Sequence, residues 1–101
     1  MKKHAFYSVV LGTNRKPIAK LWTGWTDGTY NYYKDEFNKW HTIEPSTGLS
    51  TGYPHNTRTE AAAHVHTIEM AEKIKNAIKP EMVERFKTLV EIAEKEELKA
   101  C

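Results

Sequence analysis

Residues Pro17 to Lys34 read PIAKLWTGWTDGTYNYYK, and the fold turns on how this stretch is divided. Pro17 to Gly24 has the bulky, partly alternating character of a strand, with Pro17 tolerated at the first position. Asp27-Gly28 is a residue pair that accepts the positive φ angles of a tight hairpin turn. Thr29 to Lys34 then returns as a second strand, in which alternation puts Tyr30 and Tyr32 on one face and Asn31 and Tyr33 on the other.

Outward from this hairpin, Ala5 to Leu11 is a short run of Phe, Tyr and Val closed by Gly12-Thr13-Asn14, which predicts a preceding strand and turn. Lys39 to Glu44 follows the polar loop 35–38 as a fourth strand. Pro45-Ser46-Thr47-Gly48 then turns the chain into Leu49 to Tyr53, a fifth. Ten of the eleven aromatic residues and all five glycines lie in the first 53 positions. The N-terminal half is therefore read as sheet.

The remaining 48 residues carry helix-period patterns and one aromatic, Phe86. Thr57-Arg58-Thr59-Glu60 is a capping box, and a helix is expected from 57 to 79 with Ala63, Thr67, Met70, Ala71, Ile74, Ala77 and Ile78 on its apolar side. Lys79-Pro80 breaks it. Pro80 suits the first position of a second helix, 80–99, with Met82, Val83, Phe86, Leu89, Val90 and Ala93 as its buried stripe. The expectation is an α+β chain of 101 residues forming a single domain: a four- to five-stranded antiparallel sheet over 5–53, followed by two C-terminal helices packed on one face.

Composition narrows the function classes. The net charge of +2 is too balanced to mark a nucleic-acid binder by itself, although residues 1–53 hold seven basic against four acidic side chains. Cys101 is the one cysteine and has no partner in the chain, which fits a reducing compartment, and a frayed terminus is expected there. No apolar run approaches the ~18 residues of a membrane span, and the outer face of the last helix, with Glu91, Glu94, Glu96 and Glu97 against Lys95 and Lys99, would repel anionic lipid. A cytoplasmic location is expected, with no membrane partner; a homodimer through the helical half is compatible with the pattern.

Chemistry-bearing motifs are sparse. His64-Val65-His66 would share a metal on a strand, but on a helix the two imidazoles diverge by about 160°, and two ligands make an incomplete site. No metal and no cofactor is expected. His41 and Glu44, beside Trp40, are the residues an enzyme reading would use, yet no nucleophile signature accompanies them, so a non-enzymatic protein is expected.

The most suggestive constellation is aromatic and basic. Trp22, Trp25, Tyr30, Tyr32, Tyr33, Phe37 and Trp40 are interleaved with Lys20, Lys34 and Lys39. Trp22 and Trp40 are the expected core members, and the open sheet face with its loops is expected to carry the working surface: Trp25, Tyr30, Tyr32 and Phe37, with Lys20, Lys34, Lys39 and Arg15. The first expectation is docking on a protein partner, as an inhibitor or adaptor of a larger machine, a viral or mobile-element inhibitor being one such setting. The alternative is a single-stranded RNA or DNA binder using the rings as stacking platforms and the cations as phosphate contacts.

Overall fold

A computed structural model of the chain describes residues 1–100, with side chains described for residues 1–96. Cys101, the expected frayed end, lies outside the described residues, as do the side chains of Glu97 and Lys99. Four strands, β1 (Lys2–Leu11), β2 (Pro17–Thr26), β3 (Asn31–Lys34) and β4 (Trp40–Ile43), form one antiparallel sheet in the order β1-β2-β3-β4. Three helices follow, α1 (Arg58–Val65), α2 (Ile68–Ala77) and α3 (Pro80–Ala100). The architecture is α+β, and no helix among the described residues is long and apolar enough to cross a membrane.

The β2–β3 turn is wider than the two-residue hairpin that Asp27-Gly28 suggests. Thr26 pairs with Asn31, leaving residues 27–30 as the loop, and only Gly28 takes a positive φ, +92°. Asp27 organises it: its Oδ1 accepts the amides of Thr29 at 2.9 Å and Tyr30 at 2.7 Å. Local side-chain-to-backbone bonding of this kind competes with the tighter turn.

The expected fifth strand, Leu49 to Tyr53, does not form as a regular element. Ser50 pairs with Ile43 and Thr51 N–H donates to Thr42 O, after which Gly52, Tyr53 and Pro54 bulge away before His55 pairs with Trp40. Pro54 has no amide to donate and Gly52 sits at φ +154°, so the ladder cannot run through them.

The single helix expected over 57–79 is two. Thr67 breaks it: its hydroxyl oxygen accepts the Met70 amide as the N-cap of α2 while its O–H donates to His64 O. The break resets the helical phase. Ala61 and Val65, four apart, are the buried positions of α1, whereas Ala63, expected inward, is exposed. The α3 stripe Met82, Val83, Phe86, Leu89, Val90 and Ala93 is partly buried throughout, as its periodicity requires.

Register assigns the sheet's two faces. Phe6 opposite Trp22, and Tyr33 opposite His41, share one face with Ile43; Trp25 opposite Tyr32, and Lys34 opposite Trp40, share the other. Each face has its own buried cluster. Phe6, Tyr33 and Ile43 pack with Trp22, while Tyr30 and Tyr32 pack with Ala61 and Val65 of α1 and with Trp40 and Ile74. At the outer edge of β1, Val9 N–H donates to Gly48 O at 2.8 Å, tying the turn after β4 to the first strand.

Candidate recognition site

The eight side chains expected to form one working surface do not come together in one place. Tyr32 is wholly buried and Tyr30 is 7% exposed, both beneath α1, so neither offers a ring face to a partner. This corrects the expected site: the face that carries them is the one α1 covers. Arg15 sits in the β1–β2 turn with φ 62°, at the far end of β2 from Trp25. Ten strand residues span roughly 30 Å, which separates the two. Lys20 is on the opposite face from Trp25, with its ammonium 4.1 Å from the Trp22 ring centroid.

Lys20 begins a continuous column on that opposite face. Trp22 stacks on Tyr33 at 3.9 Å with planes 12° apart, and Tyr33 stacks on His41 at 4.8 Å, also at 12°. His41 Nε2 meets Asp35 Oδ2 at 2.7 Å, and the indole N–H of Trp22 donates to Ser8 Oγ at 2.7 Å. Rings arranged in this way occupy each other's faces. Burial pushes the Tyr33 phenol up, with the Asp35 charge adding to it.

Trp25 and Lys34 lie on the same face of the sheet, and two residues not anticipated from sequence stand against Trp25. Arg58, the first residue of α1, holds its guanidinium 4.4 Å from the Trp25 ring centroid and 5.7 Å from that of Trp40. Lys3 stands 6.0 Å from Trp25. Lys34 lies opposite Trp40 on the same face, and Lys39 bonds Asn56 through its ammonium, drawing the β3–β4 loop against the segment that leads into α1. The site joins β1, β2, β3, β4 and α1. No local spacing announces it, because its members are up to 55 residues apart in sequence.

Phe37 is 74% exposed and Tyr53 is 85% exposed. Phe37 tips a braced turn: Asp35 Oδ1 accepts the amides of Phe37 and Lys39, and Asp35 N–H donates to Lys39 O. These bonds, after that to His41, hold the Asp35 carboxyl below its usual range. Tyr53 occupies the bulge opposite His41, and the antiparallel return of the chain brings both exposed rings to the same end of β4.

His41 and Glu44 are not assembled together. Three positions apart on β4 and its exit, they point to opposite faces, His41 to Asp35 and Glu44 to the amides and hydroxyls of Ser46 and Thr47. Burial opposes ionisation of Glu44, but those four donor groups outweigh it and lower its pKa. His64 and His66 diverge as the helix dictates. The His64 ring lies 5.0 Å from His55, and His66 Nε2 meets Asp27 Oδ2 at 2.6 Å.

Asp27 therefore closes the α1–α2 junction onto the β2–β3 loop. Its Oδ2 also accepts the Tyr32 hydroxyl at 2.5 Å. Burial would raise its pKa, but the donors Tyr30 N–H, Tyr32 O–H, His66 and Thr29 N–H together bring it down to about 2. No hydrogen bond links the imidazole of either His–Asp pair to a Ser, Thr or Cys among the described residues. No group of three metal-ligating side chains occurs among them either.

An apolar groove of about 250 Å³ lies elsewhere, between α2, the start of α3 and residues 44–51, lined by Leu49, Met70, Ile74, Ile78 and Met82. Glu44 reaches its wall but is already saturated. Compared with known proteins, the chain matches no family model, no curated protein sequence and no solved structure.

Proposed function

We propose that the chain is a non-enzymatic binding protein that docks on a protein partner, as an inhibitor or adaptor of a larger assembly. The surface it uses is the Trp25–Arg58–Trp40 end of the sheet with the two exposed rings beside it. The observation that supports this most directly is Phe37, an apolar ring held in solvent on a turn already ordered by Asp35. A pre-ordered aromatic loses little conformational entropy on binding, and aromatic anchors of this kind supply much of the energy of protein interfaces. The charges around Phe37 are mixed, with Lys34, Asp35, Glu36 and Lys39 in its loop.

Placing a photo-reactive side chain at this site, Phe37→p-benzoylphenylalanine, tests the reading in the native cell. The same protein should be cross-linked from position 53 and not from Lys87 on the outer side of α3, and purified partner should lose affinity for Phe37→Ala. Cross-linking that is equal from all three positions would refute it.

A single-stranded nucleic acid is the second reading, favoured by Lys3, Lys34 and Arg58 converging on Trp25 and Trp40. It predicts tryptophan quenching by oligonucleotides that weakens steeply with salt. Unchanged emission at low salt would remove it.

A further inference from the structure

We infer that the Arg58 guanidinium, pinned between Trp25 and Trp40, is a receptor for side-chain carboxylates on an extended acidic segment of the partner. The inference rests on the docking reading above and names the chemistry its site would recognise. Arg58 is partly buried, and its contacts with both indoles engage its charge without using an N–H donor. No hydrogen bond or ion pair to its side chain exists among the described residues. A guanidinium presents five donors in a rigid fork that fits a carboxylate two bonds at a time, so a held but unfilled fork is pre-arranged for that group.

The local charge balance points the same way. Lys3 and Lys34 flank the same two indoles, and among the described residues neither has a carboxylate partner. Three of the four acids in the sheet half are engaged elsewhere: Asp27 by Tyr32 and His66, Asp35 by His41, and Glu44 by Ser46 and Thr47. Glu60, the acid nearest Arg58 in sequence, is two residues along α1 and so about 200° around the helix. Among the described residues no carboxylate, that of Glu36 included, forms an ion pair with Arg58, Lys3 or Lys34.

A base-stacking partner finds less here. Tyr30 and Tyr32 lie under α1, Trp22 and Tyr33 close on each other, and Trp25 has cations against its ring. Stacking platforms contribute much of the affinity for single strands, and few free ring faces remain. Carboxylates flanked by apolar residues would instead use the fork together with Phe37 and Tyr53.

The test is a titration of the isotopically labelled full chain at low ionic strength with hexaglutamate, oligothymidylate and inorganic phosphate as separate probes. The side-chain N–H signals of Arg58, Trp25 and Trp40 are followed by NMR. Hexaglutamate should move all three signals, more tightly than phosphate, with the effect fading as salt is added. Arg58→Gln should weaken it roughly tenfold, the loss expected for a hydrogen-bonded charge pair. Because removing Arg58 could disturb the indoles, Lys3→Glu and Lys34→Glu, both at exposed positions, provide a second arm and should each weaken binding in a chain whose spectrum stays dispersed.

Signals that ignore hexaglutamate, or equal affinity in the wild type and all three variants, would overturn the inference. Tighter movement of the same signals by oligothymidylate would also overturn it and assign the site to nucleic acid. Cross-links from positions 37 and 53 that persist while hexaglutamate is ignored would sink the carboxylate chemistry alone. Their loss would sink the docking reading itself.

Discussion

Gly48→Ala is the sharpest test of how the helices are seated on the sheet. Gly48 has φ +66°, and a Cβ there would stand 2.3 Å from Cε1 and 2.6 Å from Cδ1 of Phe86, the one aromatic of α3. The backbone cannot easily yield, since Gly48 O accepts from Val9 of β1 and Gly48 N–H donates to Glu44 O. A side chain in left-handed geometry costs about 1–2 kcal/mol. Overpacking against a ring adds about 1–3 kcal/mol, so the total is about 2–5 kcal/mol. In a domain of this size that corresponds to a fall in melting temperature of roughly 10–30 °C.

The double mutant isolates the steric part. With Phe86→Ala the ring is gone, and Gly48→Ala in that background should cost only the backbone share, about 1–2 kcal/mol. Urea unfolding followed by tryptophan fluorescence and by helix circular dichroism gives all four stabilities. Equal cost of Gly48→Ala in both backgrounds would refute the contact and the seating of α3 it represents.

Acid unfolding should expose Asp27. Its folded pKa of about 2 lies below the ordinary 3.8, so its contribution is complete above about pH 4 and is lost as the pH falls towards 2. Asp27→Asn should lower stability at neutral pH and flatten the dependence in that window; an unchanged acid limb would contradict the bonds from Tyr32 and His66. Thr67→Ala removes the N-cap of α2 and should cost about 1 kcal/mol, read as a lowered urea midpoint. If instead stability rises, the break at His66–Thr67 is not what Thr67 imposes.

The sheet was legible because Gly12, Asp27-Gly28 and Gly48 punctuate it at the places where the chain reverses, and the α3 stripe because its period is uninterrupted. The helix break was not, since Thr67 reads as an ordinary member of an apolar side until its hydroxyl is seen bonding Met70 and His64. The fifth strand failed at Gly52-Tyr53-Pro54, where proline was in view but its position against the β4 ladder was not. Arg58 was visible only as the second residue of a capping box. Its partners Trp25 and Trp40 are brought to it by pairing across three strands, which no spacing within one segment encodes.

The deeper reason the expected site dissolved lies in what a count of rings omits. Ten aromatics in 53 residues exceed what a core beneath helices can hold only if each ring needs its own apolar cover. Tyr33 shows the alternative. Its two faces are taken by Trp22 and His41, Phe6 leans against it at 6.4 Å, and it is buried by its neighbours on the sheet. Stacked rings remove surface from water as effectively as an overlying helix, and their polar edges are met by Ser8 and Asp35 instead. A ring is left open to solvent only where it has neither a stacking neighbour nor a cover, and among the predicted rings that condition is met by Phe37. The cations obey the same logic, since Lys20 caps a closed column, while Arg58 has ring contacts and, among the described residues, no hydrogen-bond acceptor.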